Sequence, residues 1–445
     1  MNPTANASEP SSAHELRTTA REIFQQALKQ STIPQAFARH VEFDGKALRV
    51  CEDLYPLGSY ERATVISIGK GAHAMVESLV GQVGETVSGV VVATTEPDSQ
   101  LPKFRYFRGG HPLPTRESLD AGSAILRQLR NQTSNSLVIF LISGGGSAAV
   151  EYPVADTISL DDIVQTYRAL VHSGAPIAEI NAIRKHLSAI KGGRLARAAA
   201  PAQQVSIMVS DVPDNALDSL SSGMTMPDSS TADACYRIAS EYRMVDEFPP
   251  SVRALFTARS LEETPKADDP AFARSRWWTV LSNTTAQKSA AALAAARGFT
   301  VEVDNSCDDW DYAKAAEHLL ERLRKMRQRA ARACLISGGE VTVKVGKNPG
   351  TGGRNSHLVL YCAQKIAGEK ITVLSAGTDG IDGNSAAAGA VADGTTLRRA
   401  HSAGLDPAAA LAAFDSFPFF EELGDAVMTG PTGNNLRDLR ILIAV

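Results

Sequence analysis

Four apolar runs of strand length, at 63–68, 88–95, 136–143 and 205–212, alternate with segments of helical periodicity. This alternation constrains the fold most, because strands joined through helices run parallel and must be covered on both faces. A chain of 445 residues exceeds one compact core, and roughly two or three domains are expected. Residues 1–14 read as a disordered lead-in, 15–260 as a Rossmann-like domain with a mostly parallel sheet, and 261–445 as a second α/β domain. Helical patterning fills 160–200, whereas "DEFPPS" and "EETPKADDP" within 243–274 show little periodicity and suggest a linker or lid connection. The second domain is expected to open on the strand "WWTVLS", to carry a hairpin at "GEVTVKVG" and to close on the strand "LRILIAV".

Composition narrows the partners. A formal net charge of -4 with 45 basic against 49 acidic residues lacks the concentrated basic face that nucleic acid requires, so small molecules are expected. The five cysteines are far apart and odd in number, which suits a reduced, cytoplasmic compartment. No basic segment followed by an apolar one marks the N-terminus as a signal peptide, and no apolar run approaches the about 18 residues of a membrane span. The oligomeric state is left open, a homodimer being one arrangement.

Chemistry-bearing motifs sit at the ends of the apolar runs. "IGKGAHA" places Gly69, Lys70 and Gly71 after the first run in a G-x-G-x-x-A pattern, and Glu96 follows the second run. That is most of a dinucleotide fingerprint, yet Lys70 puts a flexible cation at the turn, which suits a reacting phosphate better. "ISGGGSAA" offers Ser143, Gly144, Gly145, Gly146 and Ser147 as an anion cradle of backbone N–H groups, the alternative being a plain tight turn. "SDVPDN" and "SAGTDGIDG" each put an acid, Asp211 and Asp379, just past a strand, where it holds Mg²⁺, takes a proton from a hydroxyl, or merely caps a turn. In "GTGGRNSH", Arg354 and Asn355 open a helix whose dipole favours anions, and Lys185 and Lys191 flank the Gly192-Gly193 break as further candidate phosphate ligands. "MTGPTGNN" is a loop that contacts ligand or only turns the chain, and His73 and His111 read as structural. Walker A, kinase-loop and nucleophile-elbow patterns are missing, as is any metal-type histidine spacing.

Taken together and in order, "IGKGAHAM", "GHPLPT", "ISGGGSAA", "NAIRKHLSAIKGGRLA", "SDVP", "SGMTMPD", "GGRNSH", "SAGTDGIDG" and "TGPTGNN" closely resemble the class II glycerate 2-kinases over almost the whole chain. The resemblance implies a Rossmann-like N-terminal domain, a MOFRL-type C-terminal domain and an active site in the cleft between them. It further implies phosphorylation of the 2-hydroxyl of D-glycerate by ATP with Mg²⁺ or another divalent cation. Its catalytic lysine and arginine fall on Lys70 and Arg354, its phosphate loop on residues 143–147, and its acids on Asp211 and Asp379.

The sequence departs from the family pattern at three places. "SDVPDNAL" replaces a longer acidic loop after Asp211, Met224 replaces a proline, and Ser356-His357 replaces a Gln-Glu pair after Arg354. These changes bear on the acceptor, so a kinase for a longer sugar acid stands as an alternative. A second alternative is an NAD(P)H-dependent hydroxypyruvate reductase, resting on the 69–74 fingerprint and Glu96, and a third is a sugar-acid sensor without catalysis.

Overall fold

The computed structural model describes residues 10–445, with side chains from residue 13. The expected lead-in falls at residues 1–9 outside the described residues, but 10–14 are helical, belonging to the helix Pro10–Gln30. Two compact units result, and their division differs from the expected 15–260 and 261–445. One is Ile33–Val280; the other joins the described residues up to Thr32 with Leu281–Val445.

The Ile33–Val280 unit opens with a small antiparallel sheet of β1 (Val41–Phe43), β2 (Ala47–Val50) and β3 (Asp53–Pro56). Strands of three or four residues fall below the length at which alternation is legible. The main sheet holds β4 (Arg62–Ile68), β5 (Ser88–Ala93), β6 (Phe104–Arg108), β7 (Ser136–Ser143), β8 (Gln203–Val209) and β9 (Ser275–Leu281), in the order β6-β5-β4-β7-β8-β9. The pairings of β4 with β5 and β7, of β5 with β6 and of β7 with β8 are all parallel. Every residue of β7 is buried, as a strand covered on both faces must be. Its cover includes the helix Arg116–Leu129, which buries Ala121, Ile125 and Leu129 at helical spacing against Val138, Phe140 and Ile142. The chain runs from β4 outward to β6, then crosses back to place β7 on the other side of β4. Ligands in open α/β sheets bind beyond the carboxyl ends at such a reversal, and both glycine motifs, 69–71 and 143–147, lie there.

Two expectations for this unit fail. The strand within "WWTVLS" is part of β9, next to β8 in the first sheet, rather than the start of the second domain. Residues 243–274 are no lid: Phe248, Val252, Phe256 and Leu261 bury into a helical cluster with Ile163, Tyr167, Ile183 and Ile238. Their apolar residues are spaced by short helices and turns, so no single period reveals them. Likewise 160–200 forms three helices, Leu160–His172, Ile177–His186 and Arg194–Ala199, the last starting after Gly192 and Gly193 at φ +58° and +81°.

The other unit has a mixed sheet of β10 (Thr300–Val303), β11 (Ala333–Gly338), β12 (Ile371–Gly377), β13 (Gly389–Asp393), β14 (Ala426–Val427) and β15 (Asp438–Ala444), ordered β10-β11-β15-β12-β13-β14. Only β10 and β11 pair in parallel; the final strand inserts antiparallel between β11 and β12 and is buried throughout. The expected hairpin is missing, since residues 340–348 make only one bridge, from Thr342 to Asp311. One face of the sheet carries Tyr312–Arg327 and Arg354–Lys365; the other carries Pro10–Gln30, whose Ala20, Ile23, Phe24 and Ala27 pack with Leu374, Val391, Ile441 and Ile443. The first helix of the chain thus completes the core of the last domain. Among the described residues, no helix is long and apolar enough to cross a membrane.

Truncating Phe24, fully buried in that core, is therefore expected to cost about 3–5 kcal/mol. In Phe24→Ala, hydrogen exchange should accelerate in β12 and β15 while β4 and β7 keep their protection; equal loss in both sheets would contradict this allegiance.

Candidate active site

On the Ile33–Val280 unit, β4 and β7 end side by side and their glycine turns interlock. Gly69 has φ +117°, and a Cβ there would lie 2.4 Å from both the carbonyl oxygen and the Oγ of Ser143, so glycine is required on conformational and steric grounds. The Ser143 hydroxyl is buried; it accepts the Gly71 N–H at 2.9 Å and faces the Ile68 carbonyl at 3.3 Å. The Gly69 N–H donates to Val92 O at 3.0 Å and the Lys70 N–H to Gly144 O at 2.9 Å. All three N–H groups of the fingerprint turn are thus engaged by the protein itself. A dinucleotide fingerprint works by presenting its backbone closely to a pyrophosphate, whereas this turn presents the Lys70 side chain, which is exposed.

The Lys70 stem lies over Gly145, where a Cβ would be 2.9 Å from Lys70 Cγ. Gly145, at φ +81°, precedes the short helix Gly146–Ala149. A Cβ on Gly144 would fall 1.8 Å from Asp211 Oδ2, so the Asp211 carboxylate sits directly on the Gly144 backbone. The glycine loop is therefore enclosed by a cation on one side and a carboxylate on the other. His111 is nearby: partial burial and then the Lys70 charge hold its pKa below the usual histidine value, so it is neutral at pH 7.

Sequence reasoning missed what lies under the loop. Ser221 and Ser222 are buried with φ +48° and +59°, a left-handed conformation uncommon outside glycine. Ser221 Oγ accepts the Gly146 N–H at 3.1 Å and donates to Ser143 O at 2.7 Å, and Ser222 Oγ meets Ser147 Oγ at 2.7 Å. Their only sequence signal is the "SSGMT" segment, which names no role by itself.

Two predicted phosphate ligands are placed elsewhere. Lys191 is fully buried against the Glu151 carboxylate, with Tyr167 Oη at 3.2 Å, and burial lowers its pKa despite that partner. It is a structural ion pair and is not presented to ligand. Lys185 is nearly buried, with Nζ 3.0 Å from Asp228 and 3.4 Å from Asp218. Burial raises the Asp228 pKa, but the Lys185 charge and further hydrogen bonds outweigh it and the carboxyl stays below its usual range. Glu96, required by the reductase reading, is an exposed side chain 3.6 Å from Arg108, and His73 bonds Thr95 O at 3.0 Å.

On the other unit, Arg354 begins the helix Arg354–Lys365. Its Nε and Nη2 contact the two oxygens of Asp438 at 2.6 and 2.9 Å, and Nη2 also reaches Glu340 at 2.9 Å. Asp438 is fully buried on β15. Burial opposes the guanidinium charge, but the Asp438 hydrogen bonds and both carboxylates raise its pKa above the usual value. The side chain is therefore permanently charged, locked on one edge and still 38% exposed, the arrangement a fixed anion clamp needs. Two residues further along β15, the fully buried Arg440 donates to the carbonyls of Gly338 and Gly339 at 2.8 and 3.0 Å, fixing the turn before Glu340.

Asn355 is buried, its side-chain oxygen 2.5 Å from Ser375 Oγ, so it ties the helix to β12. The acid that supports the helix N-terminus is Asp382, which accepts the N–H groups of Asn355 and Ser356 at 2.9 and 2.8 Å. Asp379 of the same motif is half-buried, its Oδ1 accepting the Ile381 N–H at 3.1 Å and its carbonyl the Thr432 N–H at 3.0 Å. The "TGPTGNN" loop is thereby fastened to the "GTDG" turn. Among the described residues, no cluster of three or more histidines, cysteines and acids forms a metal cage. Mg²⁺ is commonly held by one or two carboxylates with substrate phosphates and water, and the hard oxygens of Asp211 and Asp379 are of that chemical type.

Residues 19–257 match the family model described as a domain of unknown function, DUF4147, and residues 333–438 match the MOFRL family. The chain is 34% identical to a D-glycerate 2-kinase of Thermotoga maritima, covering 89% of this chain and 94% of that one. It is 35% identical to a protein of Agrobacterium vitis provisionally named hydroxypyruvate reductase, covering 86% and 87%. A crystal structure of glycerate kinase from Thermotoga maritima superposes with a TM-score of 0.85 at 32% identity, over 97% of this chain and all of that one. With both domain models matched and its two α/β units reproduced in a solved relative, the chain belongs to the DUF4147–MOFRL glycerate kinase family.

Proposed function

We propose that this protein transfers the γ-phosphoryl group of ATP to the 2-hydroxyl of D-glycerate, giving 2-phosphoglycerate and ADP. The observation that carries the reading is the closed 69–71 turn, which spends its backbone donors internally and leaves an exposed lysine where β4 and β7 part. Phosphoryl transfer asks mainly for positioning and for positive charge on the moving group. Lys70 supplies a mobile cation and Arg354 a fixed one. Gly144, Gly145 and Ser147 offer their backbones to the phosphates, Gly144 having no room for a side chain beside Asp211.

Asp211 orients the acceptor hydroxyl and takes its proton as the oxygen–phosphorus bond forms and the bond to the ADP oxygen breaks. A bound magnesium ion would supply positive charge to offset that of the phosphates, and Asp211 or Asp379 would be the carboxylate that holds it. Reduction of hydroxypyruvate is disfavoured by the same turn, whose backbone N–H groups are already engaged. A longer sugar acid as acceptor leaves every one of these roles unchanged.

Lysine substitutions separate chemistry from structure. Lys70 is exposed, so Lys70→Ala should leave the melting temperature unchanged while lowering turnover on the order of 10²-fold or more; near-normal turnover would contradict its role. Lys191→Met should do the reverse, because it strands the buried Glu151 carboxylate at a cost of about 3–5 kcal/mol. Thermal melts should show that loss, with KM for ATP unchanged in the folded enzyme. Arg354→Ala is a poorer test, since it also uncovers the buried Asp438.

A further inference from the structure

The unit that carries Arg354 also contains a cavity of about 460 Å³ that the roles above do not use. One wall is Val341, Val343 and Val345, at alternating positions of the segment expected to form a hairpin. Val345 is 57% exposed, an apolar side chain held at the cavity rim. The opposite wall is an aromatic pair: the His357 and Phe414 rings stack 4.6 Å apart with only 11° between their planes. Arg354 lines the same cavity.

His357 is the unusual member. It is 2% exposed, and neither Nδ1 nor Nε2 has a hydrogen-bond partner. A buried polar group left unpaired is destabilising, so an imidazole with both nitrogens unpaired is an expensive way to fill space. Burial pushes its pKa down to about 4, which leaves it neutral at pH 7 with one donor and one acceptor nitrogen. Tyr312 closes its edge at 4.5 Å, and the Asp311 charge partly opposes the effect of burial. Pockets of this volume with apolar walls and few polar groups take flat organic ligands.

We infer that this cavity receives the heteroaromatic base of the nucleotide, a purine packed on the valine wall with its polar edge turned to His357 and with Arg354 directed at its phosphates. The inference rests on the kinase reading for the identity of the ligand and adds to it a base site built wholly within one unit. The base supplies what His357 lacks, since a purine edge bears both donors and acceptors. Reaching the enclosed nitrogens requires the half-buried Phe414 ring to swing aside.

The test uses adenosine, which has the base without phosphates, titrated calorimetrically into the full-length protein and two variants. Val343→Asp puts a charge on the half-exposed valine wall, where folding tolerates it. His357→Phe keeps the aromatic stack and removes both nitrogens. Adenosine binding to the wild type, weakened about tenfold or more in each variant with a matching rise in KM for ATP, is the expected result. Because His357→Phe also removes an unpaired polar group, its melting temperature should rise as adenosine affinity falls. A residue with a merely structural role would change only the first. Unchanged adenosine affinity and KM in both variants, with turnover intact, would overturn the base site and leave the kinase reading standing. Adenosine binding lost in the variants of a protein that phosphorylates no acid would support the site and remove the kinase reading.

Discussion

Everything assigned to the first unit depends on the contact between the Ser143 hydroxyl and the turn at 69–71. Side chains would hold the two loops apart; glycine at 69 and 145 lets them touch. The touch consumes the Lys70 and Gly71 N–H groups while Val92 O takes that of Gly69, and these are the donors on which dinucleotide binding would rely. What remains is a lysine whose charge is carried on a flexible stem. A strand order of the dinucleotide-binding type is therefore combined with a turn that, on the proposed reading, suits a group in motion, because a flexible cation can follow a phosphoryl as a rigid backbone cannot.

The second unit solves the opposite problem, that of keeping a cation still. A fully buried carboxylate on the central strand grips two nitrogens of Arg354, and Arg440, from the same strand, pins the turn that leads to Glu340. On the proposed kinase reading, holding a long side chain in one orientation removes its ordering cost from the reaction itself. The insertion of β15 between β11 and β12 has a functional consequence: the last strand of the chain brings the acid under an arginine more than 80 residues earlier.

Local pattern revealed what is locally determined. Most strands of both main sheets, the turns at their ends, and Lys70, Arg354 and the 143–147 loop could be found from apolar runs and glycine clusters, whereas the short β6, β13 and β14 carry no such run. Partner choice could not. The strand within "WWTVLS" reads as a strand in isolation, but whether it joins the sheet before it or the one after it depends on the helices of 160–261, whose core is assembled from many short pieces. The first helix, whose helical pattern is legible from about residue 15, gives no sign that the apolar face awaiting it lies beyond residue 280. The lysines show the same limit. Lys70, Lys185 and Lys191 all sit near glycines, and only the three-dimensional position of Glu151, Asp218 and Asp228 distinguishes the free cation from the two committed to ion pairs. Asp382 was hidden by its neighbour Asp379, since either acid of "GTDGIDG" suits a strand end and the helix it caps lies earlier in the chain.

The central claim is that the exposed lysine and the clamped arginine serve phosphoryl transfer to a small hydroxy acid. Its most direct test is ADP release from ATP and Mg²⁺ with D-glycerate, L-glycerate and four-carbon aldonates, with the position of the phosphate assigned by NMR. ADP formed in step with D-glycerate, the phosphate on its 2-oxygen, is the predicted result. Absence of ADP release with every acid, together with oxidation of NADH by hydroxypyruvate, would contradict the account and return the glycine turn to a dinucleotide.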